Sequence, residues 1–202
     1  MTTPDFFNDV APIVVRDPLC EVLGAASNGL LEYTYTDVVK LAGHSCPTVA
    51  GAFLMVQEGL TSLYEDAIPV RGEIKVLMKG RLGEGVVGVI ANVASMITGA
   101  TDVSGFHGLA GKFDRRGLLF YDAQIEGEMA LVRTDTGMHV ELNYNPSFVS
   151  GDPRMSELLP LIASGQADSS QQTLFGQLWQ DRVKRILIDN KADSRLIHSV
   201  VH

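Results

Sequence analysis

The stretch PTVAGAFLMVQEGLTSLYE, residues 47–65, repeats Val49, Ala52, Phe53, Val56, Leu60 and Leu63 at spacings of three and four. Side chains three and four apart share one side of an α-helix, so this is the apolar face of a helix that needs a partner layer. The segments on either side show what that layer is. Downstream, GEIKVLMKG (72–80) alternates, with Ile74, Val76 and Met78 on one face and Lys75, Leu77 and Lys79 on the other, the period of a half-buried strand. GLLFYDAQI (117–125), EGEMALVRT (126–134) and MHVELNYNP (138–146) repeat the strand signature, with TDTG (134–137) as a turn and Pro146 as a stop.

Further helices are expected in GVVGVIANVASMITG (85–99), small and apolar, where Val and Ile also allow a strand, and in DPRMSELLPLIASG (152–165), where Asp152 is the expected cap and Pro153 the first helical position. TLFGQLWQDRVKRILIDN (173–190) carries a stripe of Phe175, Leu178, Trp179, Val183, Ile186 and Leu187, read as core. Upstream, APIVV (11–15) is an extended candidate. DPLCEVLGAA (17–26) is a short helix capped by Asp17, with Pro18 first. LLEYTYT (30–36) reads as a strand, followed by a short helix through DVVKLAG (37–43) capped by Thr36 or Asp37. Helices and strands mix without regular alternation, which predicts an α+β fold with a mainly antiparallel sheet packed against helices. The expected organisation is a single domain over residues 1–202, with a core at about 30–190, an N-terminal extension 1–29 and a C-terminal tail 191–202.

Sixteen basic and 24 acidic side chains give a formal net charge of −8, which opposes attraction to nucleic acid or to an anionic membrane surface. No apolar run is long enough to span a bilayer, and the opening MTTPDFFNDV lacks the basic-then-apolar pattern of a signal peptide; a cytoplasmic protein is expected. Two cysteines build no disulfide framework, so each thiol is read singly. Cys20 sits in an apolar stretch and reads as an inert thiol.

Cys46 differs. In GHSCPT (43–48), Pro47 suits the first helical position, which makes Cys46 the N-cap, beside unpaired N–H groups and the positive end of the helix dipole. Such a setting favours a thiolate, the form that attacks electrophiles and binds metals. His44, two residues earlier in extended chain, points to the same side. The pair can supply two ligands to a transition metal ion, Zn²⁺ first, or a nucleophile and its base. The plain alternative is a capping cysteine beside a histidine bonded to a carbonyl. Asp102 and His107, in the Gly-rich TDVSGFHGLAG (101–111), are the preferred additional acid/base and third ligand. His139 reads as a sheet-surface residue, and His198 and His202 as tail histidines. GRLGEGVVG (80–88) lacks the Gly-Lys-Ser/Thr ending of a phosphate loop and reads as a tight turn.

YTDVVKLAGHSCPTVAGAFLM (35–55) resembles the signature of the FmdE family, named after one of the polypeptides of formylmethanofuran dehydrogenase, through Gly43, His44, Cys46, Pro47 and Gly51. MITGATDVSGFHGLAGKFDRRGLLFYD (96–122) is similar to that family's second block, and LFGQLWQDRVKRIL (174–187) to its closing helix. The resemblance implies an α+β core, a homodimer, and a cleft at the histidine and cysteine with the character of a metal or catalytic site for a small-molecule substrate. It also implies a link to one-carbon redox chemistry, with an accessory role in a larger redox enzyme complex as the alternative. Many members carry second-block cysteines, where this chain has Val89 and Ala100, and some carry a C-terminal zinc ribbon. With no cysteine after Cys46, this chain has neither.

Overall fold

A computed structural model describes residues 3–202. The central layer is a five-stranded sheet in the order β6-β3-β7-β8-β9, formed by β3 (Ile74–Met78), β6 (Leu119–Phe120), β7 (Met129–Arg133), β8 (His139–Tyr144) and β9 (Ile197–Val201). All its pairings are antiparallel except β3 with the two-residue β6. Two helices cover one face: α3 (Pro47–Tyr64) lies over β7, β8 and β9, and α4 (Val87–Thr98) over β3. The α+β class is therefore as the residue patterns predict.

The sheet's inner face follows the two-residue period. Ile74, Val76, Met78, Met129, Leu131, Val140 and Leu142 are fully buried against the helices. On α3 the burial extends beyond the expected stripe to Ala50, Leu54 and Met55, because α4 and α2 (Tyr35–Ala42) cover flanks that a sheet alone leaves open.

α3 and α4 run in the same direction. Tyr144 Oη donates to the Pro47 carbonyl at 2.8 Å, and Gly80 lies against Val87, so both N-termini sit at the end of the layer where β3 finishes. At the other end Arg133 donates to the Leu63 carbonyl, and the Gly72 amide donates to the Thr98 carbonyl.

Several expectations change. The strand expected over 30–36 is β2 (Leu30–Tyr33), paired with β1 (Ile13–Arg16), and α2 already begins at Tyr35. The cap is Thr34 rather than Thr36 or Asp37: its hydroxyl accepts the Asp37 amide while the Asp37 carboxylate accepts the Thr34 amide, a reciprocal box that satisfies two donors and outweighs Thr34's strand propensity. GLLFYDAQI contributes only the two residues of β6. TDVSGFHGLAG is not a plain turn but half of a hairpin, β4 (His107–Leu109) with β5 (Lys112–Asp114). α5 (Arg154–Ala163) starts one residue late, with Pro153 as cap and Asp152 accepting the Arg154 amide. In α6 (Ser169–Lys184) and the π-helical turn after it, only Val183, Ile186 and Leu187 of the expected stripe are buried.

Neither chain end is an appendage. Phe7, Val10, Ile13 and Val15 join the core, and so do Leu196 and Ile197, because residues 197–201 form edge strand β9 rather than a tail. α1 (Pro18–Val22) has Asp17 as its cap, as expected, but Asp17 does more than cap. Its buried carboxylate also pairs with Arg71 at 2.8 Å and Arg115 at 2.7 Å, tying α1 to the far end of the helical layer. Among the described residues no helix is long and apolar enough to cross a membrane.

Candidate functional site

Cys46 is the N-cap of α3, as its place before Pro47 predicts. Its backbone is extended, and its half-buried Sγ accepts the Val49 amide at 3.4 Å. His44 is exposed, and its Nδ1 lies 3.0 Å from the Ala42 carbonyl oxygen. A carbonyl can only accept, so Nδ1 carries a proton, and in the neutral imidazole the lone pair is then on Nε2, the nitrogen through which such a ring ligates a metal. This is the carbonyl bond of the plain alternative, and it also orients a ligand.

Ser45, between them, is held from three directions. Its hydroxyl donates to Gln180 Oε1 at 3.0 Å, so Tyr35 Oη must be the donor in the 3.0 Å contact to Ser45 Oγ. Its carbonyl accepts Trp179 Nε1 at 2.9 Å and Gln180 Nε2 at 3.2 Å, a pattern that also fixes which way the Gln180 amide faces. Trp179, read from the sequence as core, is half-buried and spends its N–H on this loop. Tyr144 completes the support through the Pro47 carbonyl. Burial pushes the Tyr35 and Tyr144 hydroxyls above the usual phenol range, the Ser45 bond opposing this at Tyr35, and both remain neutral donors.

The other expected site residues lie elsewhere. Asp102 and His107 follow the C-terminus of α4, whereas Cys46 lies level with its N-terminus. Twelve residues of helix separate the two ends, about 18 Å at 1.5 Å per residue. Asp102 accepts the Ser104 amide and hydroxyl and the Val103 amide, and these bonds hold its carboxyl below the ordinary aspartate value. It closes its own turn. His107 is exposed opposite Asp114 in the hairpin, and Asp114 is drawn to about 2, chiefly by its fork of hydrogen bonds from Arg116. Cys20, half-buried on α1 beside Asp17, belongs to that same distant end.

Among the described residues, the three-member group of potential ligands that does gather is His139, Glu141 and His202, with donor atoms all within 4.8 Å of one another. That group could hold a metal ion; His44, Cys46 and His107 form no such group. His202, read as a tail residue, is brought there by β9.

A cleft of about 390 Å³ runs beside α3 and is lined by Pro12, Ile13, Leu54, Gln57, Thr61 and Lys191, among others. It does not reach His44 or Cys46. Its Gln57 and Glu58 are engaged with the Ala11 carbonyl and with Ser62 and Ser199. The loop at 43–48, where a thiol and an oriented imidazole sit two residues apart, is the better candidate on chemistry. No family model matches the chain, and no curated protein matches it either.

Proposed function

We propose that this chain is an FmdE-type metal protein in which His44 and Cys46 bind one Zn²⁺-class ion at the N-terminus of α3, and that it acts on a small organic substrate there. The observation that carries the reading is the His44 Nδ1 bond to the Ala42 carbonyl, which leaves Nε2 as a free donor two residues from a helix-capping thiol. The Ser45 clamp supports it, because a site already held by several part-buried hydrogen bonds loses little entropy when an ion arrives. Two protein ligands leave coordination positions for water and for a chelating substrate. A bound ion would polarise a substrate oxygen or activate that water. Within one chain His107 is not a ligand, and Asp102 serves its own turn. The homodimer and the small-molecule substrate remain part of the proposal through the resemblance. An accessory, non-catalytic role in a larger redox complex is distinguished by co-purification with such an enzyme and by no turnover from the isolated chain.

Elemental analysis of untagged protein tests the metal. About one transition metal ion per chain is expected at this site, lost in both His44→Ala and Cys46→Ser while the circular dichroism spectrum is unchanged. Metal content unaffected by either substitution removes the reading. The clamp gives a second expectation. Trp179→Phe keeps an aromatic side chain but loses the indole N–H donor, worth about 1 kcal/mol of preorganisation, so metal affinity falls about fivefold, read by chelator competition. An affinity equal to wild type would show that the loop needs no such support.

A further inference from the structure

The exposed face of the sheet carries a second constellation, on the side opposite α3. His139 and Glu141 are two apart on β8 and project to the same face, away from buried Val140 and Leu142. His202 lies directly across from His139: the two residues exchange both backbone bonds, at 3.3 and 2.9 Å. Their rings stack at 4.8 Å between centroids and 12° between planes. Glu141 is oriented by the amides of Glu126 and Gly127, which both donate to Oε2 at 2.8 and 2.7 Å and leave Oε1 available.

We propose that His139, Glu141 and His202 form a second metal site, which takes a Zn²⁺-class ion and pins edge strand β9 to β8. Two imidazoles and a carboxylate suit a borderline divalent ion, with a fourth position for water. The donor atoms stand within 4.8 Å of one another, whereas ligands at about 2.1 Å from a tetrahedral ion lie about 3.4 Å apart, so small side-chain rotations close the site. The bonds from Glu126 and Gly127 hold the carboxylate as outer-shell hydrogen bonds do in metal centres. The consequence is structural. β9 has one neighbour in the sheet, and an ion shared with β8 ties it down at the end where His202 lies.

The test is ZnCl₂ titration by calorimetry on the untagged full chain, with hydrogen exchange at His198 and Val200, whose amides face β8 in this register. In the double variant His44→Ala, Cys46→Ser, one Zn²⁺ per chain is expected to bind with micromolar or tighter affinity and to slow exchange in β9. Adding His139→Gln and His202→Gln is expected to abolish both effects, with the metal-free circular dichroism spectrum unchanged. Glu141→Gln alone is expected to weaken binding. If wild type takes up one ion that Cys46→Ser alone removes, the α3 site stands and this one falls; if only His139→Gln and His202→Gln remove it, the reverse holds. Millimolar-range binding without protection of β9 means adventitious coordination by surface histidines, and overturns the proposal.

Discussion

Asp17→Ala will lower the stability of the fold by about 3–5 kcal/mol, because it leaves two guanidinium groups without their counter-charge in a buried site. Asp17 is 3% exposed and Arg115 5%. The carboxylate accepts from Arg71, from Arg115 and from the Leu19 and Cys20 amides, so four donors lose their acceptor together. A surface ion pair such as Arg195–Asp193 contributes about 0–1 kcal/mol, since water screens it and replaces it. Urea unfolding monitored by circular dichroism checks the difference. Asp17→Asn keeps the shape and the cap but not the charge; a loss nearer 1 kcal/mol in that variant would mean that the cap, not the ion cluster, carries the effect.

The pH dependence follows with a definite sign. Burial pushes the Asp17 carboxyl up, but the hydrogen bond from Arg71, the Cys20 amide and the charges of Arg115 and Arg71 outweigh it, so its folded pKa lies below the ordinary value of 3.8. A depressed folded pKa gives stability that is present above the unfolded pKa and lost as pH falls through the folded one. Wild type is expected to lose stability more steeply than Asp17→Asn below about pH 4, the ordinary aspartate range. Parallel curves in that window would contradict the assignment.

Gly51→Ala is the second large effect, and intrinsic propensity predicts the wrong sign. In an exposed helix interior the change stabilises by about 1 kcal/mol. Here a Cβ on Gly51 meets the Tyr144 ring at its Cδ1, Cε1 and Cζ atoms, so the ring must leave. Tyr144 is 9% exposed and donates to the Pro47 carbonyl. Overpacking costs about 1–3 kcal/mol and the lost bond about 1 more, so a net loss of about 1–3 kcal/mol is expected after the propensity gain. The same displacement disturbs the first turn of α3, so metal affinity at Cys46 should weaken as well. Thermal unfolding together with metal titration checks both. A variant as stable as wild type would show that β8 can move off α3 at no cost. Gly51, one of the positions that carry the resemblance to the FmdE family, thus has a packing reason of its own.

Much of this molecule is legible along the chain because its information is local. Apolar spacing shows α3 and β3, and a proline behind a capping residue shows where α1 and α3 start, since these depend on a few neighbouring side chains and their own backbone. The same local logic placed Cys46 at a helix N-terminus. It failed at Thr34, where two overlapping signals competed and the reciprocal capping box prevailed over strand propensity.

What required the tertiary structure is every convergence over long separations. Trp179 and Gln180 reach Ser45 across 134 and 135 positions, and Arg115 reaches Asp17 across 98, so no spacing rule connects them. His107 reads as a third ligand because it lies in a Gly-rich connection of the kind that carries functional residues, but the parallel course of α3 and α4 sends it and His44 to opposite ends of the helical layer. His202 looked idle because a strand's role depends on the neighbour it pairs with. Once β9 pairs with β8, hydrogen-bond register alone sets its imidazole against His139. Periodicity and capping are properties of adjacent residues and can be read in order, whereas pairing register and helix direction belong to the packed whole, and they decide which functional groups meet.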